Sequence, residues 1–365
     1  MRIMTVLGTR PEIIRLSTLI PRLDETVEHV LVHTGQNFDP RLSDIFFSEL
    51  GLRAPDHHLG VNESSAAAQI GALIARCGAL FEATRPDRLL VLGDTNSALC
   101  AIIAKRMGIP VFHMEAGNRC YDDRVPEEVN RRIVDHSSDI LMPYTERSRQ
   151  NLLREGIPGR RIFVTGNPIA EVLESRRSLI ETSGILSRLG LAPQRYVLAT
   201  LHRAENTDDP ARLAGLMHGL SAVAAQHGVP VVLSTHPRLR SRLTSAGIEA
   251  DGEVRLLEPF GFVDFVALQR SALCVLSDSG TVQEECTILG VRAVTLRDVT
   301  ERPETLEGGS NILSGADPAS LLRAVGVALS GGTGWRVPPE YQVQDVSGVV
   351  LRLLIGHLDP VLLGP

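Results

Sequence analysis

Short apolar runs alternate along the chain with longer stretches in which apolar residues recur at helical spacing. The runs are rich in Val, Ile and Leu and mostly lack polar alternation, which is typical of strands buried on both faces of a parallel sheet. Strand–helix alternation of this kind predicts βαβ units and doubly wound sheets. The predicted strands are Ile3–Leu7, His29–His33, Arg88–Leu92, Val111–Met114, Ile140–Pro143, Ile162–Val164, Tyr196–Thr200, Val231–Ser234, Val254–Leu257, Cys274–Ser277 and Ala293–Leu296.

The same pattern predicts a chain of two similar α/β halves. Its predicted helices include Ser65–Glu82, Thr145–Glu155, Leu213–His227 and Val282–Leu289. The segment Gly166–Ala192 separates the halves and is the predicted linker. We therefore expect an α/β protein of two Rossmann-like domains, residues 1–168 and 169–345, with a C-terminal helix in residues 346–365 that packs back on the first.

Composition narrows the class of protein. The chain has 365 residues, 43% hydrophobic and 22% charged, which suits two globular domains. A net charge of −6 argues against sequence-independent binding of nucleic acid, which depends on Lys and Arg that neutralise phosphates. The N-terminus enters a strand without a signal-peptide pattern, and no apolar run approaches the ~20 residues that span a bilayer. We expect a cytoplasmic protein without a membrane segment.

The cysteines point to reduced thiols. All five are scattered, without C-x-x-C spacing, and most lie in apolar stretches: Cys77, Cys100, Cys120, Cys274 and Cys286. Buried thiols in a cytosolic protein explain this pattern better than disulfides or metal ligands.

Polar residues cluster directly after the predicted strands of the first half. Gly8-Thr9-Arg10-Pro11-Glu12 follows the first strand and is not a G-x-G-x-x-G fingerprint, so no nicotinamide cofactor is indicated. Asp94 and Glu115 each follow a strand, and Glu127 lies twelve residues beyond Glu115 at the start of a helix. Each acid alone could be an N-cap or a first-turn residue. Three acids at one sheet edge are costly, which favours a functional reading.

The second half places basic and small residues at equivalent positions. His202 and His236, each with an Arg nearby, follow strands, and neither has the i, i+4 partner of a metal site. The backbone N–H groups of Ser279 and Gly280, at a predicted helix start, are suited to a diphosphate. Arg302 follows another strand. The pair His57-His58 lies in a stretch that we predict to be a solvated loop.

These motifs occur in an order that resembles the non-hydrolysing UDP-N-acetylglucosamine 2-epimerase family. The resemblance runs from about Arg2 to His357 and rests on these segments: Gly8–Glu12, Gly93–Thr95, Glu115–Gly117, Pro126–Glu128, Val164–Asn167, Asp278–Gly280 and Thr300–Glu304. It implies two domains of the glycosyltransferase-B type facing across a cleft that holds the active site, often in a homodimer. It implies a UDP-sugar substrate and neither a metal nor another cofactor.

The resemblance also implies roles for particular residues. The catalytic positions are Asp94, Glu115, Glu127 and His202. The diphosphate contacts are Arg10, Ser279 and Gly280, and Glu285 is the ribose contact. Arg302 and His236 line the substrate, and Phe260 lies in the stretch whose backbone meets uracil.

Three departures from the family pattern bear on specificity. Arg15, which we expect to bind substrate, stands where common members have Lys, and this keeps the charge and changes its geometry. The stretch Thr34–Asp39 differs from the one that supports an activating second substrate molecule. The run Glu115–Glu128 is more similar to a branch that includes 2-epimerases of UDP-linked 6-deoxy-L-hexosamines.

The expected reaction is inversion at C2 of a UDP-linked 2-acetamido sugar, UDP-GlcNAc to UDP-ManNAc, by elimination and re-addition of UDP. One alternative is the same reaction on a UDP-2-acetamido-2,6-dideoxy-L-hexose. Others are a hydrolysing 2-epimerase that releases free sugar, a glycosyltransferase on the same double fold, and a non-catalytic UDP-sugar sensor. A transferase has no need of three convergent acids, and a sensor needs only the grip on UDP.

Overall fold

The computed structural model describes residues 1–36 and 40–357 and divides the chain into two compact units. The first consists of Met1–Ser175 with Glu340–Pro365, and the second of Arg176–Pro339. The chain therefore passes between units after Ser175, within the segment expected to be a linker. That segment is largely helical in the structure.

Each unit contains a parallel sheet, with six strands in each sheet among the described residues. The strands are β1 (Arg2–Leu7), β2 (Glu28–His33), β3 (His57–His58), β4 (Arg88–Leu92), β5 (Val111–Met114), β6 (Ile140–Met142), β7 (Val197–Thr200), β8 (Val231–Ser234), β9 (Val254–Leu257), β10 (Cys274–Ser277), β11 (Ala293–Thr295) and β12 (Asn311–Leu313). The orders β3-β2-β1-β4-β5-β6 and β12-β11-β10-β7-β8-β9 are one topology, that of the Rossmann fold. The expected fold class is confirmed.

Helices connect the strands in both units. They are α1 (Arg10–Leu16), α2 (Leu19–Thr26), α3 (Pro40–Glu49), α4 (Ala66–Thr84), α5 (Cys100–Arg106), α6 (Pro126–His136), α7 (Glu146–Arg154), α8 (Ile169–Ser175), α9 (Arg177–Glu181), α10 (Ile185–Leu189), α11 (Ala204–Thr207), α12 (Pro210–His227), α13 (Pro237–Ser245), α14 (Phe262–Ser271), α15 (Gly280–Leu289), α16 (Pro303–Glu307), α17 (Pro318–Ser330) and α18 (Val346–Ile355). Short 3₁₀ turns cover Asn96–Leu99, Gly159–Arg161 and Pro339–Tyr341.

Three local predictions were wrong. Residues 162–164 form no strand, because Ile162 makes only an isolated bridge to Leu141. The pair His57-His58 is not a loop but the edge strand β3, which pairs with β2. Strand β12 was missed because it is short and begins with the polar Asn311. Each error concerns a very short segment, where the apolar pattern is weakest.

The C-terminal helix α18 belongs to the first unit. Ser347 in its first turn donates its backbone N–H to Glu171 at 2.9 Å and its hydroxyl to the other carboxylate oxygen. Arg22 on α2 pairs with Asp345, the N-cap of α18, at 2.8 Å. These contacts fix the start of the helix, and its buried face includes Val350 and Leu354. Residues 358–365 lie outside the described part of the chain.

Contrary to the expectation from the sequence, one described helix, α4, is long and apolar enough to cross a membrane by length and composition. A helix packed on a protein core can pass the same test. Three of its residues, Leu73, Cys77 and Phe81, are buried in the core of the first unit beside β4.

Gly117, directly after β5, allows the chain to pass close to α7. Its φ is +79°, and an added Cβ would lie 2.3 Å from the Ser148 carbonyl oxygen.

We predict that Gly117→Ala lowers the free energy of unfolding by about 3 kcal/mol, from left-handed strain plus overpacking. Gly156→Ala is the matched control, because Gly156 has a φ of +86° and nothing within 4 Å of an added Cβ. It should cost only about 1 kcal/mol in urea unfolding. Equal losses would contradict the packing argument.

Candidate active site

In the first unit the strand order reverses between β1 and β4, which is where open α/β sheets bind ligands. The loops after these two strands approach each other closely. A Cβ added to Gly8 would lie 2.1 Å from the Thr34 hydroxyl oxygen and 2.2 Å from the Ser97 hydroxyl oxygen. A side chain here would clash with both hydroxyl oxygens. The first loop of the expected diphosphate site therefore depends on glycine at this position.

The Glu12 carboxylate connects the loop after β1 with the loop after β4. One of its oxygens accepts from the backbone N–H groups of Gly8 (3.0 Å) and Thr9 (2.7 Å), and its other oxygen accepts from the Thr95 hydroxyl at 3.0 Å. Glu12 is only 1% exposed. Burial raises its pKa to about 7, although the hydrogen bonds from Thr9, Gly8 and Thr95 oppose that shift. From the sequence, Glu12 was identified only as part of the Gly8–Glu12 segment. Its contact with both loops was not predicted.

Asp94, at the end of β4, is held from α6. Arg131 donates from Nε to one Asp94 carboxylate oxygen at 2.7 Å, and one of its terminal nitrogens lies 2.6 Å from the same oxygen. Asn130 donates to the Asp94 backbone carbonyl at 3.0 Å. Arg131 also pairs with the buried Glu128 at 2.8 Å. The Asp94 carboxylate is therefore fixed in direction by a buried guanidinium.

Glu115, after β5, has an uncommon backbone conformation. Its φ is +65°, in the left-handed region that favours glycine. The carboxylate pairs with Arg15 of α1, accepts from the Asn118 amide at 3.1 Å and from the Tyr144 hydroxyl at 3.3 Å. The Arg15 guanidinium also lies over the Tyr144 ring, 5.5 Å from its centroid. Strain of this kind occurs where surrounding contacts impose it, commonly at functional sites.

Glu115 lies beside the turn that precedes Asp94, and Glu127 lies on the helix that holds Asp94. The Glu115 carboxylate oxygen is 3.6 Å from the position of a Cβ built on Gly93, the residue before Asp94. Glu127 is half-buried in the first turn of α6, one turn before Arg131, the partner of Asp94. Arg10, at the start of α1, is also half-buried, and burial lowers its pKa.

The stretch after β2 reaches the same loops. Gln36 accepts from the Ser97 backbone N–H at 3.1 Å and hydroxyl at 3.0 Å, and Thr34 contacts the Ser97 hydroxyl at 2.8 Å. The rest of the departure noted above, Asn37-Phe38-Asp39, lies outside the described residues.

In the second unit the strand order reverses between β7 and β10, and the loops after these strands meet at Asp278. This buried carboxylate contacts His202 Nδ1 at 2.7 Å and accepts from the backbone N–H groups of His202 and Arg203 at 3.0 Å. Burial alone would raise the pKa of Asp278, but the His202 charge and hydrogen bond with the two N–H groups hold it well below its usual range. Asp278 therefore fixes Nδ1 and leaves Nε2 of His202 for a ligand.

The expected diphosphate positions of the second unit lie together at the start of α15. Ser279 already donates its backbone N–H to the Ser277 hydroxyl at 3.0 Å. A Cβ on Gly280 would lie 2.6 Å from a Glu301 carboxylate oxygen and 3.8 Å from the Arg302 guanidinium carbon. The lack of a side chain at Gly280 thus lets Glu301 and Arg302 lie close to the start of α15. The Arg302 Nε pairs with Glu284, which holds the guanidinium in place.

Glu301 was not predicted, although it lies against this site. It pairs with the buried Arg297 at 2.7 Å and with Arg203 at 3.4 Å. The carboxylate therefore has two cationic neighbours beside the site expected to bind an anion.

The other expected contacts of the second unit are distributed over neighbouring elements. Glu285 is almost fully buried in α15 and accepts from the Gln269 amide at 2.7 Å. His236 is the N-cap of α13, where its Nδ1 accepts from the Arg238 N–H at 3.3 Å. Phe260 is half-buried between β9 and α14.

The comparisons with known proteins agree with this arrangement. A family model described as UDP-N-acetylglucosamine 2-epimerase matches residues 22–345. The chain is similar to a UDP-N-acetylglucosamine 2-epimerase of Methanocaldococcus jannaschii, with 37% identity over 93% of this chain and 95% of the relative. It is 38% identical to a UDP-2,3-diacetamido-2,3-dideoxy-D-glucuronate 2-epimerase of Pseudomonas aeruginosa, over 90% of this chain and 92% of the relative.

Solved structures give the same result for the fold. The M. jannaschii UDP-GlcNAc 2-epimerase in complex with UDP-GlcNAc and UDP matches with a TM-score of 0.93 and 36% identity, covering 97% of this chain and 99% of that one. The UDP-N-acetylglucosamine 2-epimerase of Rickettsia bellii matches with a TM-score of 0.91 and 40% identity, covering 97% and 96%.

Glu12 generates a pH-dependent prediction. The folded chain binds this proton more tightly than the unfolded chain, where the pKa is 4.5, so the free energy of unfolding falls as the pH rises through about 7. The shift corresponds to about 3 kcal/mol lost between pH 4.5 and 8. We predict that Glu12→Gln, followed by urea unfolding across this range, removes that slope. Glu253→Gln, at a side chain that is 66% exposed, should keep the wild-type slope. A slope unchanged in Glu12→Gln would contradict the assignment.

Proposed function

The chain belongs to the UDP-N-acetylglucosamine 2-epimerase family, and from this premise we propose that it inverts C2 of a UDP-linked 2-acetamido sugar, converting UDP-GlcNAc to UDP-ManNAc and back. The observation that carries the proposal is the set of acids at the β4 and β5 edge, Asp94, Glu115 and Glu127, in a member of this family. The reaction removes and returns a carbon-bound proton, which is work for carboxylates.

The C2 proton of such a sugar is not acidic, because no carbonyl adjoins C2. Cleavage of the C1–O bond to UDP builds positive character at C1, and this makes the C2 proton removable. In the elimination the electron pair of the C1–O bond leaves with UDP, the C2 proton goes to a carboxylate, and a C1=C2 double bond forms. In the addition the UDP oxygen attacks C1, and a proton is delivered to the opposite face of C2.

Asp94 and Glu115 suit proton transfer because each carboxylate is held in place by a buried guanidinium. Arg131 holds Asp94, and Arg15 holds Glu115. Their directions are fixed before a ligand binds, which is the preorganisation that proton transfer needs. Glu127 joins them as the third acid. We propose that these three carboxylates share removal of the C2 proton and its return to the other face.

UDP departs as a diphosphate, so cationic groups and N–H donors must stabilise the developing charge. We assign this to Arg10 in the first unit and to Arg302, Gly280 and His202 in the second. Asp278 holds Nδ1 of His202 and so presents its Nε2. Glu285 and Phe260 are proposed to meet the ribose and the uracil, and His236 to line the substrate. Arg15 acts here through Glu115 rather than on substrate directly.

The similarity to relatives with different substrates supports testing a second class of UDP-sugar in parallel. The identity to the P. aeruginosa diacetamido-uronate epimerase, 38%, matches that to the M. jannaschii enzyme, 37%. The run Glu115–Glu128 is also the one that differs from common members. The alternative substrates are therefore UDP-sugars modified at C3 or C6, including the 6-deoxy-L series, with the same chemistry at C2. We further propose a cytoplasmic homodimer without nucleic acid or membrane partners.

The direct test is proton NMR of UDP-GlcNAc incubated with the protein in D₂O. We expect deuterium at C2 together with a growing UDP-ManNAc signal, because the proton is exchanged with solvent in the intermediate. Asp94→Asn and Glu115→Gln should each lower turnover by about 10²-fold or more. Free N-acetylmannosamine would indicate a hydrolysing enzyme. No exchange with UDP-GlcNAc, but exchange with a C3- or C6-modified UDP-sugar, would move the substrate and keep the reaction.

The Asp278–His202 pair gives a second prediction. Asp278→Asn should lower kcat by about a hundredfold or more, because an amide cannot accept from both backbone N–H groups and also hold Nδ1–H of His202. The ¹⁵N spectrum of His202 should show a changed tautomer. Asp317→Asn is the control, because Asp317 is an exposed N-cap of α17 and asparagine also caps helices. Wild-type kcat in Asp278→Asn would remove Asp278 from the scheme.

A further inference from the structure

His113 is a buried histidine of β5 that the proposed chemistry does not use. It is 1% exposed and lies two residues before Glu115. Its Nδ1 lies 2.9 Å from a carboxylate oxygen of Asp135 on α6, and its Nε2 lies 2.8 Å from the backbone carbonyl oxygen of Gly93. Each ring nitrogen therefore faces one oxygen, and neither faces water.

The Asp135 carboxyl is ionised in this setting. It is fully buried, and it accepts from the Gly117 backbone N–H at 3.2 Å and pairs with Arg119 at 2.8 Å. Burial would raise the pKa of Asp135, but the hydrogen bonds and charges of His113 and Arg119 lower it. Arg119 is itself paired with Glu155 at 2.5 Å. His113, Arg119 and the Gly117 N–H all point at the Asp135 carboxylate. The carboxylate therefore acts only as an acceptor and carries no proton.

The partners of His113 decide its protonation. A backbone carbonyl oxygen only accepts, so Nε2 must carry a hydrogen to bond Gly93. An ionised carboxylate also only accepts, so Nδ1 must carry one to bond Asp135. A neutral ring has one N–H and would set a lone pair against an oxygen at one end. The geometry is satisfied only by the doubly protonated, positively charged ring.

This ring holds the two catalytic loops of the first unit together. Its Nε2 bond ends on Gly93, which has a φ of +72° and precedes Asp94. Through Asp135 it reaches the N–H of Gly117, two residues after the strained Glu115. One buried cation thus joins the turn that presents Asp94 to the turn that presents Glu115.

We propose that His113 is a positioning residue, a doubly protonated ring whose Nε2–H to Gly93 sets the Asp94 loop against the Glu115 loop. It does not touch substrate. The proposal rests on the proposed function for its kinetic consequence, whereas the charge state of His113 is a property of the protein without substrate.

The charge state is tested first on the wild-type protein. With ¹⁵N-histidine labelling at pH 7.5, we expect both ring nitrogens of His113 to give protonated signals and to correlate with slowly exchanging protons. His29 is the internal comparison, because its Nδ1 lies 2.6 Å from Asp24 but its Nε2 lies 2.9 Å from a Thr5 hydroxyl, which can donate or accept. One unprotonated ring nitrogen in His113 would overturn the proposal, whatever the enzyme does.

Two variants of His113 then separate its two bonds. The Gln amide nitrogen matches Nε2 and can still donate to Gly93, whereas the Asn amide nitrogen matches Nδ1 and can donate only to Asp135. Both remove the charge, so charge loss is common to them. We expect kcat in His113→Gln to stay within about tenfold of wild type, and kcat in His113→Asn to fall about a hundredfold with little change in KM. Equal kcat in the two variants, or the reverse order, would overturn the proposal.

Controls distinguish this proposal from a general loss of folding or of function. His29→Gln changes a buried, acid-paired histidine away from the catalytic loops and should keep wild-type kcat. Equal urea midpoints for His113→Gln and His113→Asn would tie their difference in kcat to geometry rather than stability. Absence of turnover in the wild type with every UDP-sugar would contradict the proposed function alone, because the ¹⁵N spectrum would still report on His113.

Discussion

The first unit depends on how negative charge is held at the carboxyl ends of β4 and β5. Acids crowded at one sheet edge repel each other, and burial removes the water that would screen them. One buried guanidinium pairs with each of three carboxylates: Arg131 with Asp94, Arg15 with Glu115, and Arg119 with Asp135. Breaking such a pair leaves an uncompensated buried charge, which costs about 3–5 kcal/mol. The arginines therefore serve folding and geometry together.

The backbone carries the second part of the same constraint. Glu115, Gly93 and Gly117 all have positive φ, so the chain turns sharply after β4 and after β5. At Glu115 a side chain is present and the strain is accepted, because Arg15, Asn118 and Tyr144 fix the carboxylate. The strain and the ion pair support each other, since a relaxed backbone would turn the carboxylate away from Arg15.

The sequence was sufficient to predict the fold class, most strands and the residues that end them, because buried parallel strands leave a strong apolar pattern. It was insufficient for β3 and β12, which are too short for a pattern. In the site, Asp94 and Glu115 were predictable from their position after strands. Their partners were not, since Arg131 and Arg15 lie on helices distant in sequence, and only the folded chain shows which acid each one meets. Arg131 had a weak signal, one turn beyond Glu127.

The chemistry gives a reason for two similar units with different side chains. Elimination divides the substrate into UDP and an unsaturated sugar, and each product makes its own demand. Under the proposed function UDP needs cations and N–H groups, and the candidates for them in the second unit are Arg302, Gly280 and the Asp278-supported His202. The sugar carbon needs proton acceptors and donors, which the first unit offers as ion-paired acids. Because the proton acceptors are anionic, a diphosphate leaving group placed against them would be repelled unless cations came with it. Under the proposed function, Arg10 at the start of α1 is the candidate for that cation in the first unit.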